Sequence, residues 1–598
     1  MIRFFRNILS TILIYSFVFK SVHALDIGTG ATSPITTDST VLQKFTGANA
    51  TLSVTDGATL ERANQPSLIN KQTGGTVIVG SGSTISATVA NTIQGIDSTD
   101  LTITNSGTIK AGTSKAINLT DNEGARVTNN AGGIIQSDTN TISLSENSGD
   151  TVDDIIITNH GTIFATDNSD TSGHNVIKSS DGVTNVTINN EIGGHIYHGS
   201  DKAVILLGGD ATFNNSGKIE NQNNPTSNVI TLSGTAGATL NLKNSGLVIG
   251  KIKIDDSNHK INVQHGIGQT YFYETTGTGS YDIADLDGNP IVKGSVGSIG
   301  QGSNEMLDET LGYKSLNMRK SLTRFKKSEE YSDEDKPWGE LFSSYKKRKE
   351  KKGTLRLGSE TVSIGANFIN PISYGKNLIF SVETDKQKIS KNHNINKFGI
   401  STGLHFNEVE ISKKINSELF ILGGINFNKS DRKILTNTTT SGELGITDTY
   451  KNYDFLIGNK IDMNSVFPDI SFNLGYSHTP EHSESKYYQW SKKYIFNASL
   501  ALSDEYTINK NKNTDFYFAW ILDGRSVINE NKQFFRVNGT QGSYTQNDDL
   551  KKEYSLSTSL NYEYELFKDN TFLITLDSLQ TSQETSGIQA NLNYTFKF

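Results

Sequence analysis

Residues 588–598 read IQANLNYTFKF, with apolar side chains at Ile588, Ala590, Leu592, Tyr594, Phe596 and Phe598 and polar ones between them. Strict alternation is the pattern of a strand with one apolar and one wet face. A soluble protein rarely leaves such an aromatic strand at a free sheet edge, where unpaired backbone would template aggregation. A strand that closes a membrane barrel has no free edge, and its two faces meet lipid and lumen. The rival expectation is an edge strand of a soluble sandwich, and the rest of the chain must decide.

The N-terminal end points to export. Arg3 and Arg6 precede a mostly apolar run over 8–19 that is too short, and too polar at Ser10, Thr11 and Ser16, to cross a bilayer. Val22-His23-Ala24 then offers small residues around a cleavage point, so residues 1–24 are expected to be a secretory signal cut after Ala24. No later stretch is long and apolar enough for a transmembrane helix, so any membrane domain must be a β-barrel.

The chain contains no cysteine. That removes thiolate catalysis and cysteine metal sites, and no disulfide can lock a shape that will not thread a pore. Residues 25–300 carry 14 Lys and Arg against 26 Asp and Glu, whereas 301–598 carry 38 against 37. An acidic front half argues against nucleic-acid binding, which needs clustered cations.

That front half repeats. The segments ITNSGTI (103–109), VTNNAGGI (127–134), IITNHGTI (156–163), INNEIGGHI (188–196), FNNSGKI (213–219) and LKNSGLV (242–248) align on Asn105, Asn129, Asn159, Asn190, Asn215 and Asn244. Between the copies lie short apolar strands such as AINLT (116–120) and VITLS (229–233). Asn and Gly reach positive φ cheaply, so the motif is expected to turn the chain at one corner of every coil. One unit cannot bury its own Ile/Val face, but a stack can, which predicts a right-handed parallel β-helix or a close solenoid relative.

Leu307, Leu311, Met318, Leu322 and Phe325 then mark the apolar stripe of a helix over about 303–327. Such a helix could cap the rod or thread a pore. Beyond it, twelve candidate strands fall near 338–345, 361–369, 377–384, 397–406, 417–427, 450–461, 470–478, 493–502, 514–522, 553–565, 571–578 and 587–598. Long connections follow the odd strands and short ones the even strands, except the eleventh, as in outer-membrane barrels with short periplasmic turns. The basic run Lys346, Lys347, Arg348, Lys349, Lys351 and Lys352 is expected in an outward loop, facing lipopolysaccharide phosphates or anionic glycans.

In this order the modules resemble the bacterial autotransporters of type V secretion. PWGELFSSY, with Trp338 and Phe342, is similar to the first strand of that family's translocator domain, and Tyr594, Phe596 and Phe598 resemble its barrel-assembly signal. The resemblance implies an all-β chain: signal 1–24, β-helical passenger 25–300, linker and pore helix 301–336, and a 12-stranded antiparallel barrel 337–598. It further implies an outer-membrane barrel, assembled by dedicated machinery, that exports its own passenger to the cell surface. Alternatives are a porin-like channel with a periplasmic front domain, or an enzymatic passenger.

Enzyme chemistry finds little support in the residues. A G-x-S-x-G match at 399–403 lies inside an alternating strand with no elbow after it. GTIKAGTS (107–114) lacks the lysine of a phosphate loop. His195 with His198 has no further ligand nearby, and Asp285, Asp287 and Asn289 fall short of a calcium loop. The passenger is therefore expected to be a non-enzymatic adhesin or surface antigen without cofactor or metal. Its contacts with a host-cell receptor or glycan are expected in the variable loops 138–139, 166–175 and 220–227.

Overall fold

The computed structural model describes residues 24–147, 153–166, 174–244, 246–292, 294–300, 304–329, 336–390, 392–412, 415–463, 467–485, 488–511, 513–537, 539–544, 548–567 and 570–595. Residues 1–23 of the expected signal, 167–173 of an expected variable loop, 330–335 of the expected linker, and Phe596 and Phe598 lie outside them. The chain divides into two compact units, one holding the residues up to His265 and the other most of those after Asp285.

The first unit is a parallel β-solenoid. Its strands form sheets of 11, 11 and 8 strands in which every neighbour comes from the next coil. The segment ITNSGTI splits at Ser-Gly into two strands, Thr102–Asn105 and Thr108–Ala111, and Ile117–Thr120 completes the coil. Stacking is in register: Asn105 stands opposite Asn129, Asn129 opposite Asn159, Asn159 opposite Asn190 and Asn190 opposite Asn215. Ile103, Val127, Ile157, Ile188 and Phe213 therefore pile up inside one sheet, and Ile109, Ile135, Ile163, Ile196 and Ile219 inside another, all at most 1 % exposed. No coil could bury these side chains alone.

The repeated asparagines do a different job from the one expected. None of Asn105, Asn129, Asn159, Asn190 or Asn215 has positive φ. They point inward and form a ladder: each side-chain amide donates to the next coil's carbonyl oxygen, at 2.8 Å, 2.8 Å, 2.9 Å and 2.8 Å. In-register stacking makes this possible, because identical amides then recur at the coil spacing. Asn244 is not part of it. The register sets Leu242 opposite Asn215, and Asn244 sits in the following turn at φ 49°. A second ladder, half-exposed on the outer side of the same sheet, joins Asn189, Asn214, Asn241 and Asn262 at 2.8 Å per step.

The glycine of the motif is needed for closeness. A Cβ on Gly161 would lie 2.3 Å from the Gly133 carbonyl oxygen, and one on Gly217 the same distance from that of Gly194. Neither has positive φ. The corner is where successive backbones nearly touch.

The second unit is a closed antiparallel barrel. Its strands are β1 (Trp338–Arg348), β2 (Ser359–Ser373), β3 (Lys376–Ile389), β4 (His393–Ser412), β5 (Ile415–Thr436), β6 (Glu443–Asp462), β7 (Asp469–Thr479), β8 (Lys493–Lys510), β9 (Thr514–Glu530), β10 (Lys552–Phe567), β11 (Asn570–Thr581) and β12 (Thr585–Thr595). Closure is made by β12 on β1, from Trp338 opposite Thr595 to Arg348 opposite Thr585. The barrel is inside-out: Leu341, Ile364, Leu576 and Leu592 face outward and exposed, while Glu340, Asn367, Asp577 and Asn593 face inward and buried. Backbone bonds closed into a ring beneath an apolar exterior are what a bilayer demands of a strand protein.

Several expected loops are strand instead. β5 and β6 are 22 and 20 residues long, well beyond the roughly 9–11 that cross a bilayer. The connections after β7 and β9 build a small sheet from His482–Ser485, Tyr488–Trp490, Gln533–Val537 and Thr540–Tyr544. Its Tyr488, Trp490, Phe535 and Val537 share a core with Ile434, Ile446, Val292 and Ile299. Arg432 ties this end together, donating to Thr270 Oγ1 (3.0 Å), to Glu484 (3.0 Å) and to the Gly300 carbonyl.

Two outcomes follow for the solenoid. Asn159→Leu leaves the Asn190 carbonyl and one Asn129 donor without their ladder partner, and should lower stability by about 1–3 kcal/mol. Asn241→Ser in the outer ladder, where water substitutes, should cost less; equal shifts in the urea midpoint would refute the burial argument. The second concerns His265, which is buried with its Nε2 2.8 Å from the Tyr273 hydroxyl. Burial lowers its pKa to about 3. The unfolded imidazole takes a proton near pH 6.5, so stability is present above that pH and falls as pH drops below it. Between pH 6.5 and 5 the loss should reach ~2 kcal/mol, and His265→Gln should flatten that slope in pH-dependent unfolding.

Candidate functional site: the helix-filled lumen

Helix α1 (Leu307–Glu329, 23 residues) lies inside the barrel. Its apolar stripe was legible in the sequence, and its partner is the barrel wall. Leu311, Met318, Leu322 and Phe325 pack against the inward side chains Trp338, Ile369, Ile379, Phe420, Leu422 and Leu456. The Phe325 and Trp338 rings meet edge-on, centroids 6.1 Å apart. Phe342 also turns inward, over Gly365, where a Cβ would lie 2.3 Å from its ring. The alternation at the start of β1 thus sends Trp338, Glu340 and Phe342 to the lumen and Leu341, Ser343 and Tyr345 to the outside.

The other faces of the helix are charged, and the charges are sorted along its length. At the loop-bearing mouth the helix side is acidic. Arg348 holds Glu305 at 2.8 Å and Glu309 at 3.0 Å. Arg525 reaches Asp308 at 3.4 Å and Glu553 at 2.5 Å, while Arg356 donates to Thr585 and lies 3.8 Å from Glu309. Further along, the helix side turns basic and the wall acidic. Lys314 pairs with Asp454 at 3.1 Å, Lys320 with Asp577 at 3.4 Å, and Arg324 with Glu340 at 2.5 Å. Near the opposite rim Lys326 pairs with Glu418 at 2.9 Å and Lys327 with Glu505 at 2.5 Å. Acids at the helix start and bases at its end also suit its dipole.

Several of these groups are almost fully buried, among them Arg348, Glu305, Arg324 and Glu340, so each depends on its partner. Breaking a buried pair leaves an uncompensated charge and costs about 3–5 kcal/mol. Ser321 and Asn367 add hydrogen bonds to the Glu340 carboxylate. Gly312 is where the wall comes closest: a Cβ there would sit 2.6 Å from Arg525 Cδ. A narrow polar crevice remains beside the helix, lined by Tyr313, Asn317, Lys346, Glu383, Asp385 and Lys397 among others.

The basic run is divided by this geometry. Instead of standing in an outward loop, Lys346 and Arg348 point into the lumen as alternate residues of β1. Lys347 faces out, 3.5 Å from Glu360, and Lys349 meets Glu584 at 3.2 Å on the rim with Lys351 and Lys352. Tyr594 lies in β12 opposite Gly339 and Phe572. Ser401 of the G-x-S-x-G match sits within β4, facing inward. His195 and His198 point to opposite sides of one strand, so they cannot share an ion. His195 meets Glu220 at 2.8 Å, and burial lowers its pKa against that carboxylate's opposing pull. Glu220, expected in a loop, belongs to strand Lys218–Asn221 and is 9 % exposed. Asp285 accepts from the backbone of Asp287 and Asn289 and from the Tyr271 hydroxyl, so it organises its own turn. Among the described residues no cluster of three metal-ligating side chains occurs.

Solved barrels provide the comparisons. The chain is similar to the translocator domain of autotransporter NalP from Neisseria meningitidis, with 9 % identity and a TM-score of 0.35, covering 49 % of this chain and 98 % of that one. The β domain of the Bordetella autotransporter BrkA matches with 8 % identity and a TM-score of 0.30, over 44 % of this chain and 100 % of that one. The transport unit of AIDA-I from Escherichia coli matches with 9 % identity and a TM-score of 0.31, over 45 % and 92 %. No protein-family model matches, and no curated protein matches in sequence.

The ion-pair pattern generates a conductance prediction. In planar bilayers the intact chain should show little current, whereas deleting 304–329 should open a stable pore. Arg348→Glu, set against Glu305 and Glu309, should loosen the helix and produce intermittent openings. Equal conductance of all three proteins would mean that the helix does not close the lumen.

Proposed function

We propose that this chain is an autotransporter: an outer-membrane barrel that carries its own β-helical passenger to the cell surface, where the passenger acts as an adhesin or surface antigen. One observation carries the reading. Helix α1 begins beside Arg348, Arg356 and Leu357 at the loop-bearing mouth and runs to Glu418 and Glu505 near the short turns. Whatever precedes the helix must therefore join it at the loop-bearing mouth. Long loops of outer-membrane barrels face outside, so this direction supports an exterior front domain and disfavours a periplasmic one.

Export under this reading needs no nucleotide, since each coil that folds outside opposes return of the chain. The outer-membrane assembly machinery would recognise the barrel's last strand through Tyr594, Phe596 and Phe598. An export signal over 1–24, removed after Ala24, completes the route. For the passenger, the acidic rod and its variable loops support binding to a host receptor or glycan rather than catalysis. An enzymatic passenger is the second reading, and neither a cofactor nor a metal is proposed.

Protease added to intact cells tests the proposal. An epitope near Ser145 should disappear while the barrel persists, and adhesion to target cells should fall with it. Protection of the epitope would overturn export. Loss of the epitope with adhesion unchanged would overturn the adhesin role alone.

A further inference from the structure

Several outward lysines at the loop-side rim of the barrel have a carboxylate beside them. Lys347 has Glu360, Lys349 has Glu584 and Lys433 has Glu443, all within 3.5 Å. On the face made by β3 to β6 the pattern changes below the Lys433–Glu443 pair, nearer the waist. Lys386, Lys429 and Lys451 point outward, and among the described residues no ion pair reaches any of them. The nearest carboxylate along β5 is Asp431, which accepts from Thr447 Oγ1 at 2.6 Å.

The strand register arranges these residues in rows. In the upper row Lys386 stands opposite Asn396, Asn396 opposite Lys429 and Lys429 opposite Thr449. One outward position nearer the waist, Thr384 stands opposite Phe398, Phe398 opposite Phe427 and Phe427 opposite Lys451, whose ammonium lies 5.4 Å from the Phe427 ring. The next row is Val382, Ile400, Ile425 and Tyr453, and only apolar or small residues follow for two further rows. Asn396, Phe398, Phe427, Lys429, Thr449 and Lys451 line an open crevice where the first two rows meet.

Cations, then hydroxyl and amide groups mixed with aromatic rings, then a pure apolar wall is the order of groups in a lipid whose phosphates sit on a sugar above acyl chains. We propose that this face is a binding site for a phosphorylated glycolipid of the outer leaflet. Lys386, Lys429 and Lys451 meet its phosphates, Asn396, Thr384 and Thr449 meet the sugar, and Phe398, Phe427, Ile400 and Ile425 meet the acyl chains. Unpaired lysines just above an apolar belt give charge complementarity to anionic headgroups. The site rests on the outer-membrane reading, and it moves the phosphate contact away from the basic run at Lys346–352, part of which is turned inward.

Native mass spectrometry of the full chain in detergent, titrated with bisphosphorylated lipid A, tests it. One lipid A should be retained by the wild type. The triple variant Lys386→Gln, Lys429→Gln, Lys451→Gln should bind on the order of tenfold or more weakly. Lys347→Gln with Lys433→Gln should bind as the wild type does, and phosphatidylglycerol should be held less firmly. Unchanged binding by the triple variant, an equal loss in the control pair, or equal retention of phosphatidylglycerol would each overturn the proposal. Heat-modifiable migration reports folding, and Lys429→Gln alone replaces the triple variant if that fails to migrate as a barrel. Absence of such migration in the wild type would instead count against the outer-membrane reading.

Discussion

A barrel in a bilayer must turn its polar side chains inward, and an inward charge must find an opposite one. That constraint decides what can occupy the lumen here. Arg348, Arg356 and Arg525 crowd one end, and Asp454, Asp577, Glu340 and Glu418 line the rest. A neutral amphipathic helix would leave several of these buried without partners, at a cost that no apolar stripe could offset. Helix α1 fits because its sequence runs from acidic to basic, DETLGYK to LTRFKK, in the same direction as the wall runs from basic to acidic. Its apolar stripe sets its rotation against β1 to β6, and its charges set its depth. A shift of one turn along the axis would leave Arg348 only one of the two carboxylates it now holds.

The solenoid meets a related constraint by repetition. Polar side chains can be buried in its interior because in-register stacking gives each amide an identical partner one coil away. The inner ladder ends where Leu242 takes the place of asparagine, and there the Asn215 amide donates instead to the Leu247 carbonyl, at 3.4 Å. An apolar residue can follow the last amide with little loss, whereas one in the middle would strand two neighbours.

How much of this was legible follows the range of the interactions. All twelve barrel strands, the helix and the solenoid coils were readable, since alternation, an apolar stripe and a repeated Asn-Gly corner are local patterns. Strand lengths were underestimated at β5 and β6, because polar alternation beyond the bilayer resembles loop. Two members of the basic run were misplaced because clustered charge reads as surface, yet alternation sends Lys346 and Arg348 inward with Trp338. A signal was available: Glu340 sits between Trp338 and Phe342 on the same face, and a carboxylate there requires a buried cation. Its partner Arg324 belongs to the helix, and pairs such as Arg525 with Asp308 join residues 217 apart. Nothing local announces such a pair. Asn244 was aligned by motif, and only the register exposed the slip.

The two halves therefore differ in how their stability accumulates. In the solenoid, ladder partners lie 24 to 31 residues apart, and every coil gains its contacts as soon as its predecessor is in place. The barrel gains closure only when Trp338 meets Thr595, so its first strand must await its last. Helix α1 depends on the slower half. Its partners are spread over β1, β6, β9 and β11, and its own intrinsic stability is reduced by Gly312. Until the ring closes, the segment has no matching wall and no reason to be held. Once closed, the wall offers opposite charges along the helix. Occupancy of the lumen is thus a consequence of barrel closure, whereas the solenoid can form progressively, coil by coil, without waiting for any distant partner.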